Sequence, residues 1–99
     1  MKNPIKRLNK VFDSRVRLGI MSALMVNHWL DFNSLKSLLE VTDGNLATHL
    51  RALENNRYII VKKQFMGRKP KTSYQATSIG RMAFNEHLNE LENLIQYTP

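Results

Sequence analysis

The chain contains no cysteine, which excludes disulfide staples and thiolate metal sites and fits a reducing compartment. Its most apolar run, IMSALMV over residues 20–26, is too short to cross a bilayer. The first ten residues, MKNPIKRLNK, lack the apolar stretch of a signal peptide. A cytoplasmic protein with no membrane partner is expected. Acids are scarce: eight Asp and Glu stand against fifteen Lys and Arg, for a formal net charge of +7. Motifs of catalysis are missing too. There is no glycine-rich phosphate loop, nucleophile elbow or HExxH, and His28, His49 and His87 stand far apart in the chain. Glu86 and Glu90 beside His87 read as a solvated helix face. No catalysis, no cofactor and no metal site are expected.

What is present is enough for one domain over residues 1–99, with 42% apolar residues and no repeat or linker. The positive charge is concentrated. Residues 62–71 hold Lys62, Lys63, Arg68, Lys69 and Lys71 with no acid, and residues 1–17 hold six cations against Asp13 alone. Such clustering favours a polyanionic partner, nucleic acid before a membrane surface.

The periodicity gives the order of elements. Pro4 suits the first turn of a short helix bearing Ile5, Leu8, Val11 and Phe12. Asp13 or Ser14 can cap a second helix whose Val16, Ile20, Met21, Leu24 and Met25 form a core stripe. Trp29–Phe32 is a candidate for a very short strand. Asn33 or Ser34 then caps a helix that buries Leu35, Leu38 and Leu39, and Thr42 or Asp43 caps the next, with Leu46, Leu50 and Leu53 at i, i+4, i+7. Two apolar-faced helices joined by a tight turn, about residues 34–56, make a helix-turn-helix. Tyr58–Val61 and Thr72–Thr77 read as paired strands around the basic loop QFMGRKPK, a hairpin over about residues 58–77. Thr77 or Ser78 caps a last helix over about residues 78–96. The fold class is α+β, mainly α: a winged helix-turn-helix domain with a C-terminal dimerisation helix.

Three constellations carry function. The helix from Asp43 keeps the face opposite its leucines small near the start, through Gly44, Asn45 and Thr48, and Gly44, Ala47 and Thr48 permit close approach. A recognition helix enters the major groove with its first turns near base edges, so bulk there would hold the backbone away. Asn45 can pair with adenine edges, and Thr48 offers a hydroxyl and a methyl. Arg51 can reach guanine or phosphate, and His49 lies to the side, toward a phosphate or a neighbouring side chain. The second constellation is the wing, where Lys63, Arg68, Lys69 and Lys71 are expected at the DNA backbone or minor groove. The third is the seam Phe84, Leu88, Leu91 and Ile95, spaced 4, 3, 4 as in a coiled coil. It is expected to join two copies, or to fold back on Ile5, Leu8 and Phe12, while Ile79 and Ala83 serve the core.

These residues resemble the small winged-helix transcriptional regulators of the MarR/ArsR-like group. The segments that carry the resemblance are SRVRLGIMSALM (14–25), SLLEVTDGNLATHLRALENNRYI (37–59), GRKPKTSYQAT (67–77) and SIGRMAF (78–84), with the Thr77-x-x-Gly80 helix start. The resemblance implies base reading by Gly44–Thr48, backbone contacts by His49 and Arg51, and wing contacts by Arg68, Lys69 and Lys71. It also marks two departures. The group often has glycine between the two helices and just after the recognition helix, where this chain has Glu40 and Arg57. The expected function is a homodimeric, sequence-specific regulator of double-stranded DNA, a repressor, with no effector identified. The rival reading is a winged-helix module for protein–protein contact, or a subunit of a larger assembly.

Overall fold

The computed structural model describes residues 4–98, so Lys2 of the first charge cluster lies outside the described residues. Two 3-10 turns, Pro4–Arg7 and Lys10–Phe12, stand where one short helix was expected. The Asn9 side chain accepts a hydrogen bond from the Val11 amide and restarts the chain there. Then follow α1 (Arg15–Val26), β1 (Leu30–Asp31), α2 (Phe32–Leu39), α3 (Asp43–Asn55), β2 (Ile59–Met66), β3 (Lys69–Ala76) and α4 (Ser78–Ile95). No helix among the described residues is long and apolar enough to cross a membrane.

Local chemistry fixes the helix starts. Ser14 accepts from the Arg17 amide, Thr42 from Asn45 and Thr77 from Gly80, each satisfying an orphan donor of a first turn. α2 departs from expectation. It starts at Phe32, and neither Asn33 nor Ser34 caps it; Asp31 holds the cap position and its carboxylate takes the Ser34 hydroxyl. Leu35 and Leu39, four residues apart, then turn toward the core and rotate Leu38 outward, leaving it 62% exposed instead of buried.

The core joins Phe12, Ile20, Met21 and Leu24 to Leu35, to Leu46, Leu50 and Leu53 of α3, and to Ile59 and Phe84. The sheet has the order β1-β3-β2, all antiparallel. Register runs from Ile59 opposite Ala76 to Met66 opposite Lys69. The expected basic loop is therefore mostly strand, and only Gly67 and Arg68 turn the chain. Gly67 supplies the positive φ (67°) that a two-residue hairpin turn needs at its first position.

Two other residues have positive φ, Glu40 at 53° and Arg57 at 62°, the two positions where the sequence departs from glycine. Arg57 closes α3 in a Schellman arrangement: its amide donates to Glu54 and the Tyr58 amide donates to Leu53. The chain then returns to this point. Thr77 donates its amide to the Tyr58 carbonyl and its hydroxyl to the Arg57 carbonyl. α4 starts so close to Tyr58 that a Cβ on Gly80 would lie 2.1 Å from the Tyr58 carbonyl oxygen. Thr77-x-x-Gly80 is thus a docking element between α4 and the root of the wing.

Candidate nucleic-acid interface

The outer face of α3 is exposed at Asp43, Gly44, Asn45, Thr48 and Arg51. A Cβ at Gly44 would meet nothing within 4 Å, and its φ is not positive. Nothing inside the domain therefore requires a glycine there; its smallness clears space outward. The Asn45 side chain is exposed, and its backbone N–H donates to the Thr42 hydroxyl oxygen. Thr48 donates its hydroxyl to the Gly44 carbonyl at 2.9 Å, so it presents lone pairs and a methyl, its proton being committed. Asp43 is held by Lys36 of α2 at 2.8 Å, which offsets the negative charge at the start of this face. An exposed pair of this kind contributes little to stability. Ala47 is half-buried and faces the wing rather than the open front of the helix.

His49 has a partner that the sequence did not indicate. Arg17, on the first turn of α1, donates Nε to the Val11 carbonyl and places Nη1 2.9 Å from His49 Nδ1. An always-charged guanidinium can only donate, so Nδ1 accepts and the neutral ring carries its proton on Nε2. Burial, and then the charge of Arg17, hold the His49 pKa below its ordinary 6.5. Arg17 thus joins the flank of the recognition helix. Its signal in the sequence was the cation cluster at residues 1–17, but only the tertiary contact of α1 with α3 assigns it.

The wing divides the cations among two faces and a tip. Side chains alternate along a strand, so Lys63, Phe65, Thr72 and Pro70 share the face of Ile59, Val61 and Tyr74, against which α3 packs. Lys69 and Lys71 lie on the opposite face with Lys62, whose Nζ sits 5.0 Å from the Trp29 ring centroid. Arg68 is in the turn. Among the four wing cations expected at one surface, Lys63 alone shares the α3 face, where an open groove runs between Arg51, Glu54, Lys63 and Thr72. The sequence could not show this division, because it follows from the register.

α4 carries the third constellation in part. Phe84 is 4% exposed and sits edge-on to Phe12 at 5.3 Å, so it belongs to the domain's own core and is withdrawn from the expected seam. The fold-back reading therefore holds at this end of the helix. His87 is buried as well and accepts the Asn9 amide at 3.1 Å. Leu88, Leu91 and Ile95 remain exposed. Ile79, expected in the core, is 58% exposed, and with Met82 it lies on the other side of the helix.

Residues 16–95 match the family model described as a winged helix DNA-binding domain. The chain is 38% identical over 85 residues to an uncharacterized protein of Methanocaldococcus jannaschii, spanning 86% of this chain and 92% of that one. Among solved structures it is similar to a transcriptional regulator homologue from Pyrococcus horikoshii OT3, with a TM-score of 0.86 and 28% identity over 94% of each chain. A MarR-family protein from Porphyromonas gingivalis W83 shares the fold, with a TM-score of 0.72 at 16% identity over 99% of this chain and 98% of that one.

Proposed function

We propose that this chain, which belongs to the winged helix DNA-binding domain family and is a DNA-binding regulator, acts as a homodimeric repressor that reads duplex DNA. The observation that carries the reading is the front of α3. It is exposed, it holds a glycine with open space around it, and it stands beside a hairpin with five cations and no acid at residues 62–71. In this reading α3 lies in the major groove. Asn45 and the accepting oxygen and methyl of Thr48 meet base edges, while Arg51 and the outward Nε2–H of His49 meet phosphate.

The dimer would form through Leu88, Leu91 and Ile95, which remain exposed along one side of α4 among the described residues. Two recognition helices would then address half-sites about 34–36 Å apart, or a multiple of that spacing. Selection of bound sequences from random duplexes at fixed salt tests both points together. An inverted repeat with that spacing supports the reading; a single asymmetric site, or no enrichment, contradicts it. Leu88→Glu should give a folded monomer by sedimentation and lose the two-site complex. A variant that stays dimeric would move the interface elsewhere.

The rival, a protein–protein module, gains support from exposed apolar residues such as Leu88, Leu91 and Ile95 of α4, with Ile79 and Met82 on its other side. It gives no role to the cleared front of α3 or to the cationic hairpin.

A further inference from the structure

The end of the wing carries apolar surface that the fold leaves unused. Phe65 is 75% exposed and Met66 is 62% exposed, next to the turn at Gly67 and Arg68. Phe65 stands opposite Pro70, and both lie on the face of the hairpin that α3 packs against. Val61 is the last residue of β2 that packs against the core. At about 3.3 Å per strand residue, Phe65 stands roughly 13 Å beyond it. Half of a duplex turn is roughly 17 Å, so a wing flanking α3 brings Phe65 into the range of the next minor groove. The tip is also slim, because a Cβ on Gly67 would have no neighbour within 4 Å.

The surroundings say which partner fits. Lys63 shares the strand face of Phe65, Arg68 stands in the turn, Lys69 lies on the opposite face, and no acid occurs over residues 62–71, so the partner is polyanionic. An anionic bilayer has the same charge. However, Phe65 and Met66 point to opposite faces of the strand pair and so do not form one surface that could sink into lipid. A groove between two phosphate ridges accommodates a narrow apolar edge with cations on either side.

We propose that Phe65, backed by Pro70, is a wedge that enters the minor groove beside the major groove occupied by α3 and partly unstacks a base step there. This rests on the DNA-binding reading above and extends it to sequence preference. An apolar wedge reads no hydrogen-bond pattern, but it favours steps that unstack cheaply, which are the pyrimidine–purine steps TA and CA. The wing then contributes specificity at positions that α3 never touches, and it bends the duplex.

The test uses the full chain and a selected duplex with 2-aminopurine placed beside the outer step of each half-site. Phe65→Ala should weaken dimer binding about a hundredfold, the scale of losing one aromatic–base contact in each half-site, with the salt slope unchanged. The fluorescence rise caused by the wild type should vanish, and Phe65→Leu should restore most of both effects. Lys69→Ala, which removes one cation from each protomer, should instead reduce the salt slope by about two. If Phe65→Ala binds like the wild type while Lys69→Ala lowers the slope, the wedge is wrong and the wing contact stands. Binding that is flat in salt for every variant would remove the DNA reading itself. Phe65-dependent capture by phosphatidylglycerol vesicles with unchanged DNA binding would overturn the wedge in favour of a membrane surface.

Discussion

Arg57 is the position where a single substitution should improve this protein. It closes α3 with φ 62°, a conformation in which the Cβ of an L-residue crowds the following carbonyl oxygen. That crowding costs about 1–2 kcal/mol. Glycine removes it but loses more backbone freedom on folding, about 0.5–1 kcal/mol. The difference leaves Arg57→Gly more stable by roughly 0.5–1 kcal/mol. For a domain of this size, 1 kcal/mol moves the melting temperature by about 4–8 °C, so a rise of about 3–6 °C is expected. The contacts around the site are backbone contacts and survive the change: the Arg57 amide to Glu54, the Tyr58 amide to Leu53, and the Arg57 carbonyl to the Thr77 hydroxyl. The assay is thermal unfolding followed by circular dichroism, with Arg57→Ala as control. Alanine keeps the crowding Cβ and should bring no comparable gain. DNA affinity should stay within about twofold, because Arg57 lies past the end of the recognition helix, whose first turns do the reading. A flat or lower melting temperature for the glycine variant would refute the reasoning and give the Arg57 side chain a stabilising role that offsets its conformation.

Gly80→Ala should act in the opposite direction. A Cβ 2.1 Å from the Tyr58 carbonyl oxygen forces α4 away from the wing root, at a cost of about 3 kcal/mol in urea unfolding. An unchanged midpoint would mean that α4 moves freely on that root. His49 gives a pH dependence. Its folded pKa lies below 6.5 because of burial and then Arg17, so the unfolded chain takes up a proton that the folded chain resists. The associated stability is complete above about pH 6.5 and is lost as pH falls through the folded value. Between about pH 7.5 and pH 5.5 the wild type should lose more stability than His49→Gln. Equal losses would contradict the Arg17–His49 contact.

Much of this architecture could be read from the residues alone, where local chemistry decides it. Of the cap candidates Thr42 or Asp43 and Thr77 or Ser78, the threonine caps in each case, and Leu46, Leu50 and Leu53 are buried. Arg57 was marked only by the resemblance, as a residue standing where the group often has glycine, and it takes the left-handed conformation that ends α3. Features decided by tertiary contact were not visible. The strands of the wing run to Met66 and from Lys69 because a two-residue turn lets polar residues pair, although QFMGRKPK has the composition of a loop. Only the register places Lys63 and Phe65 on one face and Lys69 and Lys71 on the other. Phe84 left the seam because Phe12, carried in by the second 3-10 turn, packs against it. The period of α4 did not reveal which of its apolar positions the N-terminal turns would cover.

The central claim is that the front of α3 meets a DNA groove while cations of the domain hold its phosphates. The most direct measurement is the affinity of the wild type and of Thr48→Glu for a selected duplex, followed from about 50 to 200 mM salt. If about eight phosphates are neutralised per dimer, log affinity should fall against log salt with a slope of about −7, and the glutamate should abolish specific binding. A slope near zero, or a Thr48→Glu protein that binds as tightly as the wild type, would contradict it.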